Sequence, residues 1–344
     1  MTRCALVTAL TLPVIVTMLV VAGCSSNNSA TPNQSSSKSS QAQPANAAAP
    51  RVTATVKVGK NPLGVAVDSA GHNVYVTNNG DDTVSVVDTR SNTTVGAPIK
   101  VGKKPDGVAV DPVAHKVFTT NADANSVSVI DTASHYVTAT IPVGRGPQAV
   151  AVDPAGHAAY VTNEDDGSVS VIDTAAGTVI ATIPVGKSPD GLAIDPATHT
   201  VYIANADDDA VSVIDTASRN VTATIPVGKG PDWVVMVPAT HSAYVANGDD
   251  NSVSVIDTRT RAVTDTIPVG KSPDGWAVDA GPPAAAYITN WGDNSVSVFD
   301  LAARKVTATV KVGKGPDGVQ VDPTTHIVYT ANTGDDSVSV IATR

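Results

Sequence analysis

From Val52 to the C-terminus, short apolar-rich runs alternate with clusters of Asp, Gly, Pro, Thr and Asn, and the order recurs. In one unit, Gly191-Leu192-Ala193-Ile194-Asp195 reads as a first strand and Pro196-Ala197-Thr198-His199 as a turn. Val201-Tyr202-Ile203-Ala204-Asn205 reads as a second strand, and Ala206-Asp207-Asp208-Asp209 as the next turn. Val211-Ser212-Val213-Ile214-Asp215 alternates apolar with polar, the period of a half-buried strand. After Thr216-Ala217-Ser218-Arg219 the run Val221-Thr222-Ala223-Thr224-Ile225-Pro226-Val227 makes a fourth strand.

Two anchors mark the repeat. The proline of V-G-x-x-P stands at Pro62, Pro105, Pro147, Pro189, Pro231, Pro273 and Pro316, spaced 42 or 43 apart. An asparagine closes the second strand at Asn78, Asn121, Asn163, Asn205, Asn247, Asn290 and Asn332, with an aromatic three residues earlier each time. Seven units of four strands predict an all-β fold, a seven-bladed β-propeller of four-stranded antiparallel blades. The first run after the N-terminal region, residues 52–58, matches a fourth strand, whereas the chain ends on Val338-Ser339-Val340-Ile341, a third. The opening strand is therefore expected to complete the last blade and close the ring, which removes an open sheet edge.

Composition agrees. After Cys24 the chain has three leucines (Leu63, Leu192, Leu301), one glutamate (Glu164) and one methionine (Met236), too few helix formers for an α-rich domain. The net charge of −10 disfavours nucleic acid, whose affinity comes from Lys and Arg releasing phosphate counterions. Both cysteines, Cys4 and Cys24, precede the repeats, so thiol and disulfide chemistry is excluded from the repeat region.

The N-terminal region reads as an export signal. Arg3 precedes an apolar stretch from Ala5 to Ala22, and Val21-Ala22-Gly23-Cys24 resembles a bacterial lipobox. That resemblance implies a signal peptide over residues 1–23, diacylglyceryl attachment and acylation at Cys24, and a protein exported and held on the outer side of the cell membrane. Residues 24–50, rich in Ser, Asn, Gln, Ala and Pro, read as a disordered tether. The propeller occupies 51–344.

Tyr75-Val76-Thr77-Asn78 and Tyr160-Val161-Thr162-Asn163, with the near copies Tyr202-Ile203-Ala204-Asn205, Tyr244-Val245-Ala246-Asn247, Tyr287-Ile288-Thr289-Asn290 and Tyr329-Thr330-Ala331-Asn332, resemble the YVTN β-propeller repeat proteins. That family includes YncE-like periplasmic proteins and archaeal surface-layer proteins. The resemblance spans everything from Val52 onward and implies the propeller fold. It implies a binding or structural module and no shared catalytic set.

In such a propeller the first strands line the axis, and the fourth-to-first and second-to-third loops emerge on one face. Residues repeated in every blade are best explained by the blade, and residues that break the repeat are the better functional candidates. Six histidines, His72, His115, His157, His199, His241 and His326, share one turn position and read as structural. Asp106, Asp190, Asp232, Asp274 and Asp317 follow the repeat proline at the channel mouth. They either hold a divalent cation or fix the turn, with Lys187, Lys229, Lys271 and Lys314 beside them to offset their charge. The repeat-breaking candidates are Trp233, Trp276 and Trp291, and across the ring Arg145, Gln148 and Glu164. Trp233 and Trp291 read as exposed; Trp276 reads equally as a ligand contact or as packing between blades.

The expected function is a monomeric, membrane-anchored binding or scaffolding propeller of the cell envelope, without cofactor, recognising a protein or other envelope ligand through the loop-rich face. The alternative is a lactonase-like hydrolase with a cation or polar site at the channel mouth.

Overall fold

The computed structural model describes residues 49–343, so the signal-peptide reading, nearly all of the tether and Cys24 lie outside the described residues. Seven antiparallel sheets each run first, second, third, fourth strand from the axis outward. Blades 1 to 7 begin at Pro62–Asp68, Pro105–Asp111, Pro147–Asp153, Pro189–Asp195, Pro231–Val237, Pro273–Asp279 and Pro316–Val321. The first strands of neighbouring blades contact one another round a central channel.

Blade 7 closes as the repeat order predicts. Its outermost strand is Arg51–Lys57, antiparallel to Ser337–Ala342, with Val56 opposite Val338. Val56 is buried with Val338, Val340 and Tyr329 of blade 7 and with Val65, Val74, Val76 and Val87 of blade 1. The N-terminal strand thus completes both a hydrogen-bond ladder and an apolar layer between two blades.

The core lies between blades. Each cluster joins two neighbours; Tyr202, Val211, Val213 and Ile225 of blade 4, for example, pack on Val234, Ala243, Val245 and Ile256 of blade 5. Burying one such Val or Ile contributes about 1.5–3 kcal/mol, and the layer repeats round the ring.

Two elements differ from the reading of the sequence. The third strands are buried along nearly their whole length, and the serines that produced their alternation are inside: Ser212 is 2% exposed and Ser254 1%. Their hydroxyls bond the buried repeat asparagine; Asn247 Nδ2 donates to Ser252 Oγ and Ser254 Oγ, both at 3.0 Å. The half-buried alternation belongs to the fourth strand instead, as in Thr178–Pro184. Blade 1 also lacks a continuous fourth strand. It has two short pieces, Thr93–Thr94 and Ile99–Lys100, around an excursion containing Gly96 and Pro98.

The six shared histidines take the left-handed conformation at their turns, φ +50° to +60°. Their common structural role is to turn the chain. His326 also reaches across a seam, its Nδ1 2.8 Å from Asp279 Oδ2 of blade 6, the blade whose own turn lacks the histidine.

Deleting residues 51–58 should abolish the cooperative unfolding transition and shift the protein to aggregates. Circular dichroism melts with size-exclusion chromatography check this; a truncated protein that melts like the parent would refute the closure.

Candidate functional site at the channel mouth

The mouth is built by three repeated contacts. The repeat asparagine at the end of each second strand is fully buried. Gly59 and Gly186, in the V-G segments that enter blades 1 and 4, donate their N–H to Asn78 Oδ1 and Asn205 Oδ1 at 3.0 and 3.1 Å. A Cβ on any of the seven V-G glycines would strike that asparagine, which is why the V-G pair recurs. The Asp-rich turns then hold the next residues. Lys187 N and Lys314 N donate to Asp208 Oδ2 and Asp335 Oδ2, both at 2.8 Å. These aspartates are turn formers, and the loops they fix form one rim.

Below the rim the blades approach closely. A Cβ on Gly64 would lie 2.5 Å from the Asp106 carbonyl oxygen of blade 2, and one on Gly318 would lie 2.5 Å from the Leu63 carbonyl oxygen of blade 1. Five blades keep glycine here; blade 3 has Ala149 and blade 5 has Trp233. The channel inside is a cavity of about 480 Å³ lined by first strands of all seven blades, with Asp106, Asp274, Asp317, Trp233 and Gln320 among its polar or aromatic groups.

Asp106, Asp190, Asp232, Asp274 and Asp317 stand half-buried at this level. Loss of water pushes each carboxyl up from 3.8, alone for Asp274, to about 6; at the other four, neighbouring carboxylates push further, taking Asp106 and Asp232 to about 7 and Asp190 and Asp317 well above the usual range. Asp274 acts on all four of the others. The expectation that lysines offset this charge fails. Lys187, Lys229, Lys271 and Lys314 are exposed on the outer rim, and the charges that raise the channel carboxyls are acidic.

Among the described residues no three His, Cys, Asp or Glu side chains converge as the donors of a metal would. The aspartates come from five different blades, one each.

Blade 3 breaks the series with Gln148 where those five carry aspartate, and blade 1 with Leu63. Gln148 Nε2 donates to Glu164 Oε2, and Glu164 raises Asp106 and Asp190 on either side. Glu164 therefore returns a carboxylate to the blade that lost one. Arg145 does not join them. It turns outward, with Nε 2.7 Å from Asp166 Oδ1 and its side chain 67% exposed.

The tryptophans separate. Trp276 is 3% exposed, stacked on Tyr244 at 5.6 Å and tilted against Phe299 at 6.0 Å, so it packs between blades 5 and 6 while it also borders the channel. Trp233, expected to be exposed, is half-buried: its ring lies against Gly191 of blade 4 while it lines the channel. Trp291 is 53% exposed on the rim, against Gly315.

One relation was missed in the sequence. Glu164 and Trp291 occupy the same register, the residue directly after the repeat asparagine. The other blades place Asn79, Ala122, Ala206, Gly248 and Thr333 there. Asn79 Nδ2 and Thr333 Oγ1 reach the carbonyls of Pro105 and Pro62 in the next blades, at 3.3 and 2.9 Å, so this position borders the mouth. Its variety among otherwise uniform repeats was the available signal.

The pH dependence follows from the two aspartate populations. A channel carboxyl raised to 6–7 binds more protons folded than unfolded, so its stabilisation is complete below about 4 and is lost as pH rises through about 7. Turn aspartates such as Asp257, held down at about 2 by Arg259 and Thr260, stabilise above 3.8 and lose that effect as pH falls toward 2. Thermal midpoints should therefore peak near pH 4–5 and fall toward pH 8, and Asp274→Asn should flatten the neutral-side fall. Calorimetric melts across pH 3–8 test this; a profile flat from 4 to 8 would refute the shared field.

Residues 112–199 match a family model described as YNCE-like beta-propeller. No curated protein matches the chain. Among solved structures, a chain of Kuenenia stuttgartiensis hydrazine synthase is similar at 22% identity with a TM-score of 0.73, covering 81% of this chain and 95% of that one. At that identity the likeness concerns the fold. The matched segment and the seven four-stranded blades of the described chain together bear out the resemblance to YncE-like β-propellers that the repeated tetrapeptides carry.

Proposed function

We propose that the protein is a non-enzymatic recognition propeller of the cell envelope. Its channel-mouth face receives a positively charged group of a protein or other envelope ligand. The observation that carries this reading is the ring of repelling carboxylates, one from each of blades 2 to 7, at a channel whose lining has no lysine or arginine. A bound ammonium or guanidinium would relieve that repulsion, and a tryptophan at the wall adds attraction for a cation through its ring face. Trp233 inside the channel and Trp291 on the rim would provide the aromatic anchors. The propeller fold of YncE-like proteins supports a binding or scaffold role.

Anchoring belongs to the same proposal. The lipobox-like Val21-Ala22-Gly23-Cys24 would place a lipid on Cys24, and the residues between it and Arg51 would hold the domain a few tens of ångströms from the bilayer, on the order of 25–30 Å for a flexible chain. The rim would then face ligands of the envelope.

Two measurements test this. Titration calorimetry with tetralysine should show binding at pH 8 that weakens at least several-fold at pH 5.5, where the carboxyls are protonated. Asp274→Asn and Trp291→Ala should each weaken it at pH 8, and a wild-type protein that takes up no tetralysine there would sink the reading. Separately, Cys24→Ser should move the full-length protein from the membrane pellet to the soluble fraction; a variant still sedimenting with membranes would show that the lipid is not the anchor.

A further inference from the structure

On the face opposite the mouth, polar bonds cross from blade to blade near the turns. Lys116 Nζ of blade 2 donates to the Thr174 carbonyl of blade 3 at 2.9 Å. Arg261 Nη1 of blade 5 donates to the Thr222 carbonyl of blade 4 at 3.3 Å. Arg304 of blade 6 hydrogen-bonds the Tyr244 phenol of blade 5, and Arg219 of blade 4 acts on the Tyr160 phenol of blade 3. His326 meets Asp279 across the seam of blades 6 and 7, and Ser69 Oγ meets Asp322 Oδ1 at 2.8 Å across that of blades 7 and 1.

The three arginines share a setting. Each follows the aspartate that ends a third strand by four residues and takes the left-handed conformation, φ +51° to +56°. The residue reaches back over the second-strand aromatic of the preceding blade. Where that aromatic is Phe118, which has no hydroxyl, the facing residue is Gly177, which has no side chain.

The seam between blades 1 and 2 departs from the scheme. Its left-handed residue is His135, φ +58°, whose ring stands edge-on to Tyr75 with centroids 6.1 Å apart. The Tyr75 side chain is fully buried and its phenol has no hydrogen-bond partner; the Tyr329 phenol of blade 7 shares that state, but the Ser69–Asp322 bond spans its seam. Among the described residues no side-chain hydrogen bond or ion pair is seen across this seam on the turn face. The outer strand of blade 1 is broken at the same place. Between the two blades lies a cleft of about 610 Å³ lined by Val95, Pro98, His135 and the exposed Tyr136.

We infer that the seam between blades 1 and 2 is the opening point of the ring, the place where the propeller parts locally before it unfolds as a whole. An orphaned buried hydroxyl penalises the closed state at this seam, because opening lets water reach it. The broken outer strand removes ladder bonds that hold the other blades' edges. Local openings of this kind set native-state amide exchange. The first blade is also the one with apolar Leu63 where five others carry a channel carboxylate, so opening would part the ring beside the gap in its charge.

Hydrogen-exchange mass spectrometry on the full chain under native conditions tests the inference. Amides of 83–88 and 126–131 should exchange at least tenfold faster than those of 210–215 and 252–257, the equivalent third strands of blades 4 and 5. His135→Arg, which supplies the group present at three other seams, and Tyr75→Phe, which removes the orphaned hydroxyl as Phe118 does in blade 2, should each slow that exchange several-fold. Arg261→Ala should speed exchange at the seam of blades 4 and 5. Equal protection at the two seams in the unmodified protein would overturn the inference, as would fast exchange at blades 1 and 2 that neither substitution slows.

Discussion

The structure depends first on one buried side-chain amide per blade. A repeat asparagine stripped of water costs stability unless its amide donors are met inside the protein. Its Oδ1 is met by a glycine N–H at Asn78 and Asn205, while that of the other five has no hydrogen-bond partner among the described residues. Its amide nitrogen binds the third-strand serines, as Asn163 does with Ser168 and Ser170 at 3.1 and 3.0 Å. Its body fills the space above the V-G glycine. One residue therefore joins the second strand, the third strand and the loop arriving from the previous blade. That junction places the loops on a common rim, where residues vary without disturbing the blade.

Close approach at the axis is the second constraint, and its exceptions shape the channel. Where glycine precedes the inner strand, the next blade's backbone takes the space a side chain would need. Blade 5 puts an indole there, and Trp233 spreads over Gly191 of blade 4. Glycine in blade 4 and tryptophan in blade 5 are thus one feature. The channel is lined unequally as a result, which a ligand site requires and a uniform ring would not supply.

How much of this was legible in the sequence depends on period. Blade number, strand order and ring closure follow from anchors that recur every 42 or 43 residues, and the structure has them all. The third-strand serines misled because alternation reports chemical type, and a buried hydroxyl with a partner looks the same as an exposed one. The break in the outer strand of blade 1 had its sign in Gly96 and Pro98, residues foreign to a strand interior. The carboxylate ring could be named from register, but the Gln148–Glu164 pair could not, because it joins two repeat-breaking positions 16 residues apart. Trp276 shows the opposite limit. A large aromatic at an unusual position filled the core between blades 5 and 6, since the same bulk suits a ligand or a gap.

The same residue type does opposite work on the two faces, and this gives the charge pattern its meaning. Asp131, Asp173 and Asp215 at the turns accept backbone N–H bonds in water, which holds their carboxyls low and the turns closed. Asp190 and Asp317 in the channel are pushed high by lost water and by neighbouring carboxylates, Asp106 and Asp274 among them. A net charge of −10 spread over turns would serve only solubility. Part of it is instead concentrated where it costs stability, and each carboxylate stands on an inner strand fixed by its neighbours. A fold that carries such a cost at one mouth, while its lysines remain exposed, is what the proposed uptake of a cationic group requires.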